Sequence, residues 1–533
     1  VREPVVRRRI SGALCEFGVK LRPVSYALAL AAVVLHLAFN HRFGYYRDEL
    51  YFIDCARHLA WGYVDQPPLA PLVTWLTAPA GYALWALRLL PALLSGVTVL
   101  MACAIARELR GGGIAQSITG LTVLLAPAFL GLGYALSTEM LSPAAWSALI
   151  LLTMRLVKTK DERIYLAIAL VVALGTYAKY SIAACALALA LGIVFTGNGK
   201  LLRSRHLALG VALVVALLLP NAFWQIGHGF PMLGVIHGDQ LNRHALANGV
   251  ADESANLGLN ALYFIATQIG YQNPFFCVIW VAGLVALVRG KDEAPYRFIA
   301  VAYFLLVALI VITIGRGYYT EGLYPALFAA GSVSIERFLS TRAAWWRAVV
   351  TVSVFVTGAA LAPLALPVFS LPAYMRYERT IGLSRPMPPD GKYHLINPLY
   401  ADQLGWNAMT QTVAHAYWSL PLRQRAGTAI FADRYAYAGA IDFYGPRYGL
   451  PPVISPNNSY YLWGTRGYTG DSVLAVGATD YPLLMRSFGS VVQIAVYRND
   501  LRWILEGPLP IYLCTRPRAP LAAMWPAFKY YGL

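Results

Sequence analysis

Apolar residues in this chain collect into runs of roughly 17 to 25, the length a helix needs to cross a hydrocarbon core of about 30 Å. Eleven such segments are read, some of them short, near 23–40, 83–106, 114–133, 141–157, 164–178, 181–196, 206–224, 272–288, 298–314, 321–338 and 348–368. Between Gly175 and Ser181 the pattern fits either a break between two spans or a kink in one long helix. From Ser370 onward the period changes to short alternating runs bounded by turn residues, as in FADRYAYAGAIDFYG and GPRYGLPPVISPNNSYYLWG, which predicts a soluble α/β domain. The expected fold is therefore a polytopic α-helical membrane protein of about 11 transmembrane helices with a C-terminal α/β domain. Its expected parts are an N-terminal segment 1–22, a membrane domain 23–369 with a large first outer loop 41–82, and the domain 370–533.

Charge orients this arrangement. The loops at Arg107 to Arg110, Arg155 to Arg163, Lys200 to Arg205, Arg289 to Arg297 and Arg337 to Arg347 carry fifteen Lys and Arg. The alternate loops, 131–142, 224–256 and 315–321, carry only Arg243 and Arg316. Positive residues stay on the cytoplasmic side, so the N-terminus is expected inside and the first outer loop and C-terminal domain outside. The basic start, with Arg2 and Arg7 to Arg9, resembles a signal peptide, but the apolar segments that follow favour an uncleaved first span.

Composition narrows the class further. With 58% hydrophobic and 13% charged residues, the 533-residue chain is too apolar for a soluble protein. Its net charge of +17 is spread between apolar runs rather than gathered in an aromatic-rich patch, so no nucleic-acid partner is expected. The C-terminal part has fifteen basic and nine acidic residues, which suits an anionic lipid or glycan surface and equally an ordinary solvated one. Six scattered cysteines lack metal-ligand spacing, and only Cys55 and Cys514 fall on one side for a bridge. Asn457-Asn458-Ser459 matches a glycosylation sequon.

The chemistry is expected in Tyr45 to Leu69, YYRDELYFIDCARHLAWGYVDQPPL, where four carboxylates stand between two apolar segments. Asp48 reads as a general base on an acceptor hydroxyl or as a helix-terminus carboxylate. Glu49 reads as support to Asp48 or as a metal contact, and Asp54 as a residue of a solvated face. Pro67 and Pro68 stiffen the return to the membrane or end a helix. Lys179, in GTYAKYS, is a phosphate contact or a snorkelling lysine. Arg316, flanked by glycines in GRGYYTEGLYP, is placed on a phosphate. Glu139, in YALSTEMLSP, completes an acceptor or metal site or caps a short loop. Asp65, Gln66 and Tyr319 are the remaining acceptor or support candidates. A carboxylate base beside cations that neutralise a departing phosphate suits transfer from a lipid-linked phosphosugar.

The ordered set Asp48-Glu49, Pro67-Pro68-Leu69, Ala178-Lys179-Tyr180, Tyr318-Tyr319 and Leu323-Tyr324-Pro325 resembles the GT-C glycosyltransferases. The likeness is to glycosyltransferase family 39, the group of the protein O-mannosyltransferases and of relatives that include aminoarabinose transferases. FADRYAYAGAIDFYG resembles the extracytoplasmic domain that often ends bacterial members. The resemblance implies transmembrane helices with a large first outer loop, a polyprenyl-phosphate-linked sugar as donor, and inversion at the anomeric carbon. It places Asp48 as the catalytic carboxylate with Glu49 as its neighbour, and Arg316 and Lys179 near the donor phosphate. Asp65-Gln66 stands where relatives commonly put a basic residue or His before the two prolines, which weighs against a lysine-assisted contact there and against an aminoarabinose donor. A divalent cation on Asp48, Glu49 and Glu139 is left open. The expected partners are a polyprenyl-phosphate sugar, the bilayer and an extracytoplasmic acceptor hydroxyl, and the expected location is a bacterial inner membrane. The competing classes are a lipid flippase or transporter, which would show inverted repeats and midplane polar residues, and a non-catalytic membrane scaffold with a ligand-binding domain.

Overall fold

The computed structural model describes residues 20–238, 257–313, 315–383, 394–477, 480–499, 501–502 and 508–532. Residues 1–19, with the basic start, and Arg243 lie outside them. Among the described residues five helices are long and apolar enough to cross a membrane: Leu84–Glu108, Ser181–Arg203, Arg205–Gly227, Ala294–Ile312 and Trp345–Leu364. Two bent pairs raise the number to seven. Pro23–Phe39 and Ile164–Ala178 are apolar but shorter.

The difference from eleven uninterrupted spans has local causes. The run near 114–133 breaks by 59° between Gly113–Leu125 and Pro127–Tyr134. Ala126 is extended there, with φ −69° and ψ 131°, because a proline ring disfavours the helical region for the residue before it. The run near 272–288 is the second arm of a pair bent by 101°, whose first arm, Asn260–Tyr271, lies outside the eleven segments read from hydropathy. Asn273 makes that corner in a left-handed conformation, φ 74°. Lys179, extended at φ −157°, resolves the Gly175 to Ser181 ambiguity as a break between two helices.

Downstream, a five-stranded sheet places Val453–Ile454 at one edge, then Thr428–Ala432, Ser472–Val476 and Leu509–Pro517, with Phe488–Tyr497 at the other edge. Its strands are β2 Thr428–Ala432, β3 Val453–Ile454, β4 Ser472–Val476, β5 Phe488–Tyr497 and β7 Leu509–Pro517. β2 pairs in parallel with β3 and β4, and β7 runs antiparallel to β4 and β5. A separate short parallel pair joins β1 His394–Leu395 to β6 Leu501–Arg502. β2 and β4 are buried along their whole length, which is why TAIFA and SVLAV read as continuous apolar runs rather than alternations. Each face of the sheet packs a different core. Ile430, Ala432, Leu474 and Val476 face one cluster, and Ala429, Phe431, Val473, Ala475 and Cys514 face the other with Trp525 and Phe528.

The first of these cores includes the segment that follows the Pro23–Phe39 helix. Leu50, Tyr51, Phe52, Ile53, Cys55 and Tyr63 are buried together with Met409, Val413, Ala438, Ile441 and Tyr460 from beyond residue 400. The Arg47–Arg57 helix lies against the Tyr435–Tyr444 helix, so closely that a β-carbon on Gly439 would stand 2.9 Å from the Leu50 carbonyl carbon. Cys55 and Cys514 are both free and lie in different cores, on opposite sides of the sheet, so they do not form a bridge. The sequon asparagine is no modification site either. Asn457 is buried, accepting from the Tyr435 amide and donating to the Gly532 carbonyl.

Candidate active site

The Arg47–Arg57 helix begins with two carboxylates whose surroundings differ completely. Glu49 is fully buried. Its Oε2 accepts from the Tyr46 amide at 2.8 Å, which closes the first turn of the helix, and its Oε1 accepts from the Leu136 amide at 3.0 Å. Arg88 donates from Nε and Nη2 to both oxygens at 2.7 Å. The rest of that guanidinium reaches the Asn40 and Gly44 carbonyls, at 2.7 and 2.8 Å, and lies over the Tyr134 ring. Glu49 therefore does not bond to Asp48. It ties the end of the Pro23–Phe39 helix, the segment that follows it and the Leu89–Glu108 helix together through Arg88. Sequence reasoning missed Arg88 although a signal was there: a lone arginine at the start of an apolar run needs a partner.

Asp48 retains access to solvent, its side chain 29% exposed. Oδ1 accepts from the Tyr435 hydroxyl at 2.8 Å and faces Arg47 Nε at 3.5 Å. Arg47 is shared with Asp402, 3.4 Å away. Among the described residues nothing bonds to Oδ2. With Glu49 satisfying the helix end, Asp48 has no capping task. Asp65 comes close enough for the Asp48 charge to act on it. Its two oxygens accept from Tyr51 Oη at 2.8 Å and from Asn458 Nδ2 at 3.1 Å, and burial pushes its carboxyl up to about 7.

The cations lie on other segments of the chain. Lys179, the residue that interrupts the helices, donates to Glu139 and points its ammonium at the Tyr319 and Tyr318 rings, 4.7 and 5.3 Å from their centroids. Arg316 Nη1 donates to Tyr318 Oη at 3.4 Å. Tyr318 in turn is within electrostatic reach of Tyr46, whose ring lies beneath Arg47. Glu321 is buried beside Lys179 and Glu139. Gln66 is buried as well, its Nε2 3.8 Å from Cys55 Sγ, and does not reach these cations.

The donor set proposed for a divalent cation does not assemble. Glu49 spends both oxygens on Arg88 and Glu139 is held by Lys179, so neither converges with Asp48. Among the described residues no group of three His, Cys, Asp or Glu side chains is arranged to hold a metal ion.

A second acidic pair lies at the far end of the two packed helices. Asp54, expected on a solvated face, is buried instead, bonded by Tyr460 Oη and by Arg57 Nη1 at 2.8 Å. Asp442 stands close by with Arg466 on it at 3.2 Å, and with Arg57, His58 and three prolines these residues line a cleft of about 240 Å³. Burial, then the neighbouring Asp442 charge, pushes the Asp54 carboxyl up to about 8. The sign follows directly. A carboxyl whose folded value exceeds its usual 3.8 stabilises the docked loop below about pH 4, and that contribution is lost as pH rises through 7 and 8. The expected result is a melting temperature that rises from pH 8 to pH 6, the stability slope approaching roughly 1.4 kcal/mol per pH unit for one proton. Asp54→Asn flattens the slope. Tryptophan-fluorescence melts of wild type and variant check this, and parallel slopes would refute it.

Comparison with known proteins shows what the chain is similar to. Residues 65–224 match the family model of dolichyl-phosphate-mannose-protein mannosyltransferases, so the likeness to the GT-C glycosyltransferases does not rest on short motifs alone. The fold is similar to that of ArnT from Cupriavidus metallidurans. Its crystal structure bound to undecaprenyl phosphate superposes with a TM-score of 0.57 at 16% identity, covering 92% of this chain and 97% of that one. The apo structure of the same protein gives a TM-score of 0.56 at the same identity and coverage. No curated protein matches the chain.

Proposed function

We propose that this protein is an inverting glycosyltransferase of a bacterial inner membrane, with its N-terminus cytoplasmic and the Asp48 face and C-terminal domain outside. It moves one sugar from a polyprenyl phosphate to a hydroxyl on an extracytoplasmic acceptor. The observation that carries the reading is Asp48, a carboxylate fixed through Oδ1 with Oδ2 unbonded among the described residues. The fold supports it, because ArnT of the same fold is known with undecaprenyl phosphate bound.

In the step proposed, Oδ2 of Asp48 takes the proton of the acceptor hydroxyl as that oxygen attacks the anomeric carbon. The carbon–oxygen bond to the phosphate breaks on the opposite face, its electron pair leaves with the polyprenyl phosphate, and configuration inverts. Lys179 and Arg316 neutralise the phosphate as its charge grows. Asp65, held by Tyr51 and Asn458, borders the acceptor side together with Gln66. Glu139 positions Lys179, and Tyr319 offers an aromatic face beside it. Glu49 is the anchor of the loop. No step requires a metal ion.

The test is sugar transfer by the purified chain in native membrane extract, from a panel of radiolabelled undecaprenyl-phosphate sugars, with and without a chelator. Incorporation of label from one donor, unchanged by the chelator, is the expected result. Binding of undecaprenyl phosphate with no transfer from any donor would favour a flippase or scaffold.

A further inference from the structure

We infer that Tyr435, from beyond the membrane helices, is a positioning residue of the active site: its hydroxyl holds Asp48 Oδ1 so that Oδ2 faces the acceptor. This rests on the reading of Asp48 as general base. It adds that the catalytic carboxylate is aligned by a side chain 387 residues further along the chain.

Tyr435 is fixed at three points. Its backbone amide donates to Asn457 Oδ1 at 2.9 Å, and Asn457 is itself held by the Gly532 carbonyl. The ring packs on Tyr51, with centroids 4.8 Å apart. The hydroxyl donates to Asp48 at 2.8 Å. A buried phenol needs a partner for its O–H, and of the acceptors nearby it takes the carboxylate oxygen that Arg47 also faces. Gly439, one turn along the same helix, lets the two helix backbones meet, which sets the height of Tyr435 over the first turn of the Arg47–Arg57 helix. The same docked surface places Asn458 on Asp65 and the Ser459 amide on Tyr51 Oη. The C-terminal domain therefore acts inside the catalytic site as well as covering it.

A carboxylate free to rotate presents either oxygen to substrate in many orientations, whereas one pinned through Oδ1 presents Oδ2 in one. Loss of the pin should lower turnover without weakening substrate binding. Tyr435→Phe keeps the ring and its packing and removes only the donor. A charge-assisted hydrogen bond of this kind corresponds to roughly a ten- to hundredfold change. The expected outcome is a fall of that size in kcat, with KM for the undecaprenyl-phosphate sugar and resistance to limited proteolysis both unchanged. In the Asp48→Asn background the second substitution should have no further effect.

A substrate-free measurement accompanies the kinetics. The infrared carboxylate band that disappears in Asp48→Asn should shift in Tyr435→Phe, and an unshifted band overturns the inference. So does wild-type kcat in Tyr435→Phe, or a raised KM with new protease sensitivity, which would make the tyrosine a docking contact only. If Asp48→Asn itself keeps turnover, the base reading fails. If Asp48→Asn is inactive while Tyr435→Phe is normal, only the present inference fails.

Discussion

Asp48→Asn should lower sugar transfer by roughly a thousandfold, within the range a lost general base produces, and leave the protein folded and able to bind undecaprenyl phosphate. The expectation of an intact fold comes from geometry. Asparagine is nearly isosteric, its amide oxygen can still accept from Tyr435, and the helix start is closed by Glu49 rather than by Asp48. The expectation of lost turnover comes from chemistry, since a neutral amide cannot take the acceptor proton. Transfer from the active donor, set beside the melting curve and undecaprenyl-phosphate binding of the same preparation, decides it. Turnover within tenfold of wild type in a folded variant would remove Asp48 from the mechanism.

Arg88→Met should have the largest effect on stability. It removes both cationic bonds from Glu49 and abandons a fully buried carboxylate, and breaking such a pair from one side costs about 3–5 kcal/mol. The carbonyls of Asn40 and Gly44 lose their donor at the same time. The consequence is local before it is global, because Glu49 and Arg88 hold the start of the helix on which Asp48 sits. A lowered melting temperature with early proteolysis within residues 41–82 is expected, alongside reduced transfer. Arg88→Met combined with Glu49→Leu should recover part of the stability, since the uncompensated charge is gone, although the carbonyls stay unpaired. A single variant that melts with the wild type would show that the pair contributes nothing net.

These two residues mark where sequence reading stops. Asp48 stands out because the stretch Tyr45 to Leu69 follows an acidic pair with aromatics, an amphipathic run and Pro67-Pro68-Leu69 between two apolar segments. Arg88 is also an unusual residue in its surroundings, yet its partner lies 39 positions away and no local spacing connects them. Asp54 shows the opposite error. Its amphipathic stretch suggested solvent on one side, but the Tyr435–Tyr444 helix and Tyr460 cover that side. Burial of a charged residue cannot be read from its own element when the covering element is nearly 400 residues further on.

The sequence by itself determined the elements that depend on near neighbours. Apolar runs became helices, although the run near 114–133 bends at Pro127 and the stretch FADRYAYAGAIDFYG, read as an alternating run, holds the Tyr435–Tyr444 helix. The order of short motifs around Asp48, Lys179 and Tyr318 also sufficed to show the likeness to the GT-C glycosyltransferases, which the match over residues 65–224 and the ArnT fold then supported. Only the tertiary structure decided partners. It set Glu49 on Arg88, Lys179 on Glu139, and Tyr435 on Asp48. A side chain's chemistry states that a buried charge or hydroxyl must be satisfied. Which group satisfies it depends on how distant segments dock, through nonlocal packing that no periodicity in the chain records.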